Sequence, residues 1–334
     1  MENLLVNKVA AVKEVRQAAE YQKKKQACIL TGLAGSSKPV FFAAADKLLG
    51  GKGSMAFITA SREEIRTYRR ELNYLYPDLP MQELYPVSLP RVQADTQSLE
   101  LQAGRAAALR FLSGEERGIV FITAEALQQK QLRPSGMSGK ALQLAVGEEH
   151  EQRNIAAALL DLGYERTEQV DALGQFCLRG DILDVYPINS SAAVRIEWFD
   201  NELDAMRSFD VDTQRSLQTL TSIKIAPLKV DESFSYDADI FEYCAADTMV
   251  VVDEPVHVFS MLEKLDKENK EHASELFGKQ ELIEQLAANG AVLVSALGHS
   301  YLQQLPSLNI PVRAVAPYNK NTNLLMEDLQ NWLA

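Results

Sequence analysis

The chain has 334 residues, 46% hydrophobic and 24% charged; this is close to average globular usage, excludes wholesale disorder and allows two or three domains of ordinary size. A formal net charge of −12 argues against binding nucleic acid autonomously, since such a chain usually shows a basic face, and leaves protein partners as the expectation. The longest apolar stretches, Thr248 to Val252 and Ala291 to Leu297, fall far short of the roughly 20 residues of a spanning helix, so no membrane contact is expected.

The first elements alternate between helix and strand. Residues 4–26 read as one amphipathic helix with Leu4, Leu5, Val9, Val12, Val15 and Ala19 at helical spacings, and the N-terminus lacks a signal-peptide core. Ala27–Thr31 is a strand, followed by a glycine-containing loop and a helix from about Val40 to Leu49. The run SMAFITAS is a buried strand; Ser61 and Glu64 then form an S-x-x-E capping box that starts a charged helix, Arg62 to Tyr74. Met81–Leu84 is a short strand, Ser98–Leu112 a helix and Gly118–Ala124 a third apolar strand. This rhythm predicts a parallel α/β sheet.

From about Gly136 to Pro227 the strands become short and alternating, with one helix at Asn154–Leu162 and a tight Asp200-Asn201 hairpin turn. The α/β rhythm then returns: helix Phe241–Cys244, strand Thr248–Asp253, helices Val256–Asn269 and Leu276–Asn289, strand Ala291–Ala296 and a final helix near Leu325–Leu333. The expected fold is α/β, a parallel-sheet domain split by a small inserted α+β domain. Its boundaries are 1–135, 136–227 and 228–334.

Two motifs bear on nucleotide chemistry. The stretch GLAGSSKP fits the phosphate-loop template G-x-x-x-x-G-K-[ST] at Gly32 and Lys38, with an additional Gly35. Ser37 replaces the second glycine and Pro39 the metal-binding hydroxyl. Pro39 also removes a backbone N–H from the anion-binding helix terminus, while Ser37 adds a Cβ where backbone must approach phosphate. The second motif is Asp253-Glu254 at the end of an apolar strand, with His257 three residues on. The acids either hold Mg²⁺, as in nucleotide hydrolases, or complement the dipole of a helix starting at Pro255. With the first loop broken, the reading is a degenerate nucleotide-hydrolase fold with no catalytic residue and no cofactor; the alternative is a divergent ATP-binding or ATP-hydrolysing domain. Cys28, Cys177 and Cys244 lie far apart and the four histidines lack metal-ligand spacing, so reduced thiols, no metal and a cytoplasmic setting are expected.

The stretch Gly163–Ser216 is the most specific. Its R-G-D-x-x-D-x-x-P core (Arg179 to Pro187), R-I-E-x-F-x-x-E strand pair (Arg195 to Glu202) and F-D-x-x-T-Q-R-S run (Phe209 to Ser216) closely resemble the inserted domain of bacterial transcription-repair coupling factors, a domain shared with the excision-repair protein UvrB. The final run favours the coupling factors. The resemblance implies a non-catalytic UvrB-homology module that docks UvrA, linking a stalled RNA polymerase to nucleotide excision repair. Polymerase and DNA engagement, and the translocase motor, belong to further domains in that family. No second phosphate loop or helicase motif set follows Trp332, so the chain is read as the module alone.

Arginine anchors interfaces through bidentate pairing and flat packing. Together with the resemblance, this makes Arg166, Arg179 and Arg195 the expected UvrA contacts, with Glu197 beside Arg195 on one strand face by period-two alternation. Phe176 and Tyr186 are expected in the core, and of Trp198 and Phe199, which straddle their strand, one should be buried.

Overall fold

The computed structural model describes residues 4–89, 99–134, 141–228, 236–296, 304–312 and 321–333. Ser98, Leu297 and the expected boundary between 135 and 136 lie outside them.

The first segment runs α1 (Leu4–Ala10), α2 (Lys13–Lys23), β1 (Cys28–Thr31), α3 (Ser37–Leu48), β2 (Met55–Thr59), α4 (Arg62–Leu75), β3 (Met81–Leu84), α5 (Leu99–Ser113), β4 (Ile119–Thr123), α6 (Ala124–Gln128) and β5 (Gln131–Leu132). The middle segment holds β6 (Leu142–Ala145), α7 (Gln152–Asp161), β7 (Glu165–Arg166), β8 (Gln175–Arg179), β9 (Ile182–Val185), β10 (Ala193–Phe199), β11 (Glu202–Phe209), β12 (Ser216–Leu220) and β13 (Ser222–Ile225). The chain then continues with β14 (Tyr236–Ala238), a 3₁₀ turn (Ile240–Tyr243), β15 (Met249–Asp253), α8 (Pro255–Glu268), a second 3₁₀ stretch (Lys270–Glu275), α9 (Lys279–Ala288), β16 (Val292–Ser295), β17 (Ser307–Asn309) and α10 (Thr322–Leu333).

The large sheet has seven strands in the order β17-β1-β16-β15-β2-β4-β3, all parallel. Its strands come from both ends of the chain, because β15 and β16 slot between β1 and β2. Strands buried on both faces read as continuous apolar runs, and side-chain alternation divides each run between two cores. Phe57, Phe121, Met249 and Val251 pack with Phe41, Phe42, Ile65 and Leu72 beneath α1 to α4. Ile58, Ile122, Val250 and Val252 pack with Phe111, Phe259, Leu262 and Leu282 beneath α5, α6, α8 and α9. Each fully buried large apolar side chain contributes about 1.5–3 kcal/mol of transfer free energy.

The insert builds a six-stranded sheet, β12-β11-β10-β9-β8-β7, antiparallel except for the short β7–β8 pair. One face is covered by α7 and the β6–β13 ribbon, burying Phe176, Leu183, Ile196, Trp198 and Met206. The expected hairpin is present, with Asp200 at φ 59° between β10 and β11.

Three expectations change. The helix expected over 4–26 is two helices, because Val12 is extended at ψ 134° between them. No proline or glycine causes this; both pieces pack against α3, and the freed Ala10 carbonyl accepts from Arg16 Nε at 3.3 Å. The helix expected from Leu276 begins at Lys279, since Leu276 and Phe277 are buried in extended backbone against Gln128 and Gln129. The element at Phe241–Cys244 is a 3₁₀ turn, Ile240–Tyr243, capped by the Asp239 carboxylate. The capping box on α4 is formed as its sequence predicts.

Candidate functional site

The phosphate-loop residues and the acidic pair, 215 positions apart, meet at the carboxyl edge of the large sheet. Gly32 leaves β1 at φ 86°, and a Cβ there would lie 2.7 Å from the Ile310 carbonyl oxygen, so this glycine is obligatory. Gly35, at φ 53°, has open space around it. Ser37 starts α3 and closes the loop on itself: its hydroxyl donates to Ala34 O at 2.7 Å and accepts from Ala34 N at 2.9 Å. Pro39 sits buried in the first turn, where a missing N–H is tolerated.

Lys38 does not face solvent. Its Nζ donates to Asp253 Oδ1 at 2.6 Å and to Glu254 Oε1 at 2.8 Å, and its side chain is 9% exposed. Burial works against its charge, but the two carboxylates outweigh it and hold the Lys38 pKa above the ordinary lysine value. Glu254 is half-buried; burial works against its charge, but Lys38 with the Ala296 N–H and Ser295 hydroxyl outweighs it and holds its pKa below the usual glutamate range. Its backbone is left-handed at φ 42°, and its side chain makes no bond to the α8 amides. It aims instead at Lys38, Ser295 Oγ (3.3 Å) and Ala296 N (3.0 Å). Helix α4 roofs the site: burial and the neighbouring Asp253 carboxylate push the Tyr68 pKa up, and Glu71 accepts from Ser36 Oγ at 3.0 Å. The charged side chains of the cradle, Lys38, Asp253 and Glu254, are thus engaged with one another, and the Ser36 and Ser37 hydroxyls with other groups of the chain.

The second cluster lies on the insert sheet, on the face opposite its core. Cys177, Asp184, Arg195 and Arg207 are register partners across β8, β9, β10 and β11, and Arg179, Ile182 and Glu197 form the neighbouring row. Arg179 leaves β8 just before the turn residue Gly180 (φ 56°). Arg195 grips Asp184 with both arms, Nε to Oδ1 at 2.6 Å and NH2 to Oδ2 at 2.8 Å, touches Gln214 at 3.2 Å, and lies 4.7 Å over the Phe209 ring. Its pKa is raised, chiefly by that Asp184 hydrogen bond. Arg179 reaches the same Oδ2 at 3.2 Å while its side chain stays 54% exposed. Glu197 pairs with Arg207.

Arg179, Arg195 and Glu197 are therefore brought together on one face. Arg166 is not: it lies on the edge strand β7 in register with Phe176, a residue of the opposite, core face. Phe176 is buried and Tyr186 half-buried. Trp198 is the core member of its pair, donating Nε1 to His150 O at 2.9 Å, and Phe199 is 77% exposed on the arginine face. Sequence reasoning missed Asp184, the carboxylate shared by both arginines. The signal was available: the second aspartate of R-G-D-x-x-D falls opposite Arg195 once β9 and β10 are paired.

Among the described residues no group of three His, Cys, Asp or Glu side chains is placed to hold a metal ion, and no helix is long and apolar enough to cross a membrane. Burial pushes the Cys28 and Cys244 thiols up to about 12, far from nucleophilic range.

Residues 142–230 match the family model of the UvrB interaction domain. The match falls on the insert, over about the span of its sheet and of α7. The chain is also similar to transcription-repair-coupling factors: 36% identical over 203 residues to that of Bacillus subtilis, 32% over 202 residues to that of Staphylococcus haemolyticus and 28% over 165 residues to that of Escherichia coli. These matches cover 60%, 60% and 49% of the chain but only 17%, 17% and 14% of the relatives. The resemblance to the UvrB-homology module of a transcription-repair-coupling factor, read from the motifs, stands.

Proposed function

We propose that this chain is the UvrA-docking module of a transcription-repair coupling factor, acting in nucleotide excision repair, and that it performs no chemistry of its own. The observation that carries the reading is the arginine face of the matched domain. Arg179 and Arg195 are set by one buried aspartate, with Glu197 and the exposed Phe199 on the same surface. Such a face offers preorganised guanidiniums and an aromatic ring, the side chains that dominate interface energetics. Arg179, half exposed and sharing its carboxylate, is the group best able to take a partner's acid. Arg195 shapes the platform and presents its remaining edge, and Arg166 contributes from the rim.

The silent-module half rests on Lys38. A triphosphate needs that ammonium free, and here it is spent on Asp253 and Glu254. The reduced, well-separated thiols fit a cytoplasmic setting. Polymerase engagement and the principal DNA engagement by a coupling factor are assigned to the portions of the relatives that this chain does not match. The test is a pull-down with purified UvrA, using the insert (136–227) beside the whole chain and folded Arg179→Ala and Arg195→Glu variants. Both unmodified forms should retain UvrA and both variants should lose it; retention by both variants refutes the site, and no retention by the unmodified chain refutes the function.

A further inference from the structure

Helix α4 carries a feature that neither the docking reading nor the cradle uses. Its inner side is Ile65, Tyr68 and Leu72, all buried. Along one outer flank run Arg62, Arg66, Arg69, Arg70, Asn73 and Tyr74, all exposed, with Tyr74 at 87%. Several exposed helix cations elsewhere are matched to acids, as in Lys264–Glu268, Lys267–Glu263 and Lys23–Glu20. On α4, Arg62 is matched to Glu83, but Arg66 and Arg70 make no ion pair among the described residues, and Arg69, also without one, lies 5.5 Å over the Phe121 ring. The acids nearby are committed or peripheral: Glu64 closes the capping box, Glu71 accepts from Ser36, Glu63 stands at the N-terminal end of the flank, and Asp78 lies across a shallow cleft beside Arg69. Like charges at i and i+4, as in Arg66 and Arg70, weaken a helix slightly, so the arrangement is kept against a local cost in a chain of net charge −12.

We propose that this flank of α4 is a contact surface for the phosphate backbone of a DNA duplex, independent of the UvrA face. From Arg66 to Tyr74 the helix rises about 12 Å, and a duplex presents one phosphate charge per about 1.7 Å of its axis, so the guanidiniums meet phosphates without a special register. Arginine, asparagine and tyrosine are backbone-contacting side chains in protein–DNA complexes. An acidic protein surface fits less well: a protein interface needs an apolar centre, and Tyr74 is the one large exposed apolar group on this flank, the others lying elsewhere, as at Leu5, Phe199 and Leu217. The contact is electrostatic, sequence-independent and weak alone, because the rest of the molecule repels DNA.

The test is fluorescence anisotropy of the full chain with a labelled duplex of about 30 base pairs. At low salt, binding is expected in the non-specific range of about 10⁻⁴–10⁻⁶ M, with log K falling against log salt at a slope of about −2 to −3 for three neutralised phosphates. Arg66→Glu with Arg70→Glu should weaken it at least tenfold. Arg66→Lys with Arg70→Lys should preserve the slope, and Lys264→Glu, on a remote helix, should leave binding unchanged. Absence of duplex binding at low salt, equal binding by the charge-reversed variant, or binding of poly-L-glutamate in preference to the duplex would overturn the proposal.

Discussion

The cradle and the platform are built from the same parts and differ in one count. In the cradle a single cation, Lys38, faces two carboxylates, so the formal cluster charge is +1 − 2 = −1, and the lysine side chain is 9% exposed. On the platform two cations, Arg179 and Arg195, share one carboxylate, Asp184, giving +2 − 1 = +1, and one of the two stays 54% exposed. Arg207 and Glu197 cancel beside them. The first arrangement carries a net negative charge; the second keeps a half-exposed guanidinium that shares its carboxylate with Arg195. Under the proposed function the cradle is closed and the platform open, and stoichiometry of charge separates them.

Mutations that change either count should break the comparison, and the largest effect belongs to the cradle. Lys38→Ala leaves Asp253 and Glu254 confined without their cation, and removing one partner of a buried pair costs about 3–5 kcal/mol; urea unfolding should show a loss of that size. Asp184→Ala comes next. Arg195 loses its bidentate partner but keeps some contact with water, so about 2–3 kcal/mol is expected, below the full buried-pair figure, together with loss of UvrA binding. Arg179→Ala sharpens the contrast: stability should change by less than about 0.5 kcal/mol, as at other exposed positions, while UvrA affinity falls at least about tenfold, or 1.4 kcal/mol.

The smallest effect is a pH dependence. The Glu254 pKa is lowered on folding, so its stabilising share is present above the unfolded value of about 4.3 and is lost as pH falls through the lower folded value. Lys38 has the opposite sign: its raised pKa keeps its share intact through neutral pH, to be lost only as pH rises past the ordinary lysine range. Thermal melts at descending pH should therefore show the wild-type chain losing its margin over Glu254→Gln in the acid range. A constant difference between the two would show that the pair contributes nothing through its charge.

Much of this was legible in the sequence because it is local. Continuous apolar runs such as MAFIT and IVFIT announce strands buried on both faces, Ser61 with Glu64 marks the start of α4, and Asp200-Asn201 marks the hairpin. The defects at Ser37 and Pro39 are likewise visible in the letters. What stayed hidden depends on partners distant in the chain. Whether Lys38 was free or paired turned on β15 and β16 inserting between β1 and β2, which brings Asp253 within reach. Tyr68 reads as an ordinary core position of α4 until the fold brings the Asp253 carboxylate into its neighbourhood. The break at Val12 has no local breaker, since packing of α1 and α2 against α3 overrides propensity. β17 contributes one buried residue, Leu308, too short a pattern to detect. Of the four candidate docking residues, alternation correctly put Arg195 and Glu197 on one face, but it was silent on Asp184 and on the separation of Arg166.

The most direct test of the contrast is a single calorimetric experiment in which Mg-ATP and then purified UvrA are titrated into the same sample of the chain. A closed cradle and an open platform predict no saturable heat with nucleotide at millimolar concentration, followed by a saturable UvrA isotherm. Saturable nucleotide heat, or a flat response to UvrA, would contradict that account.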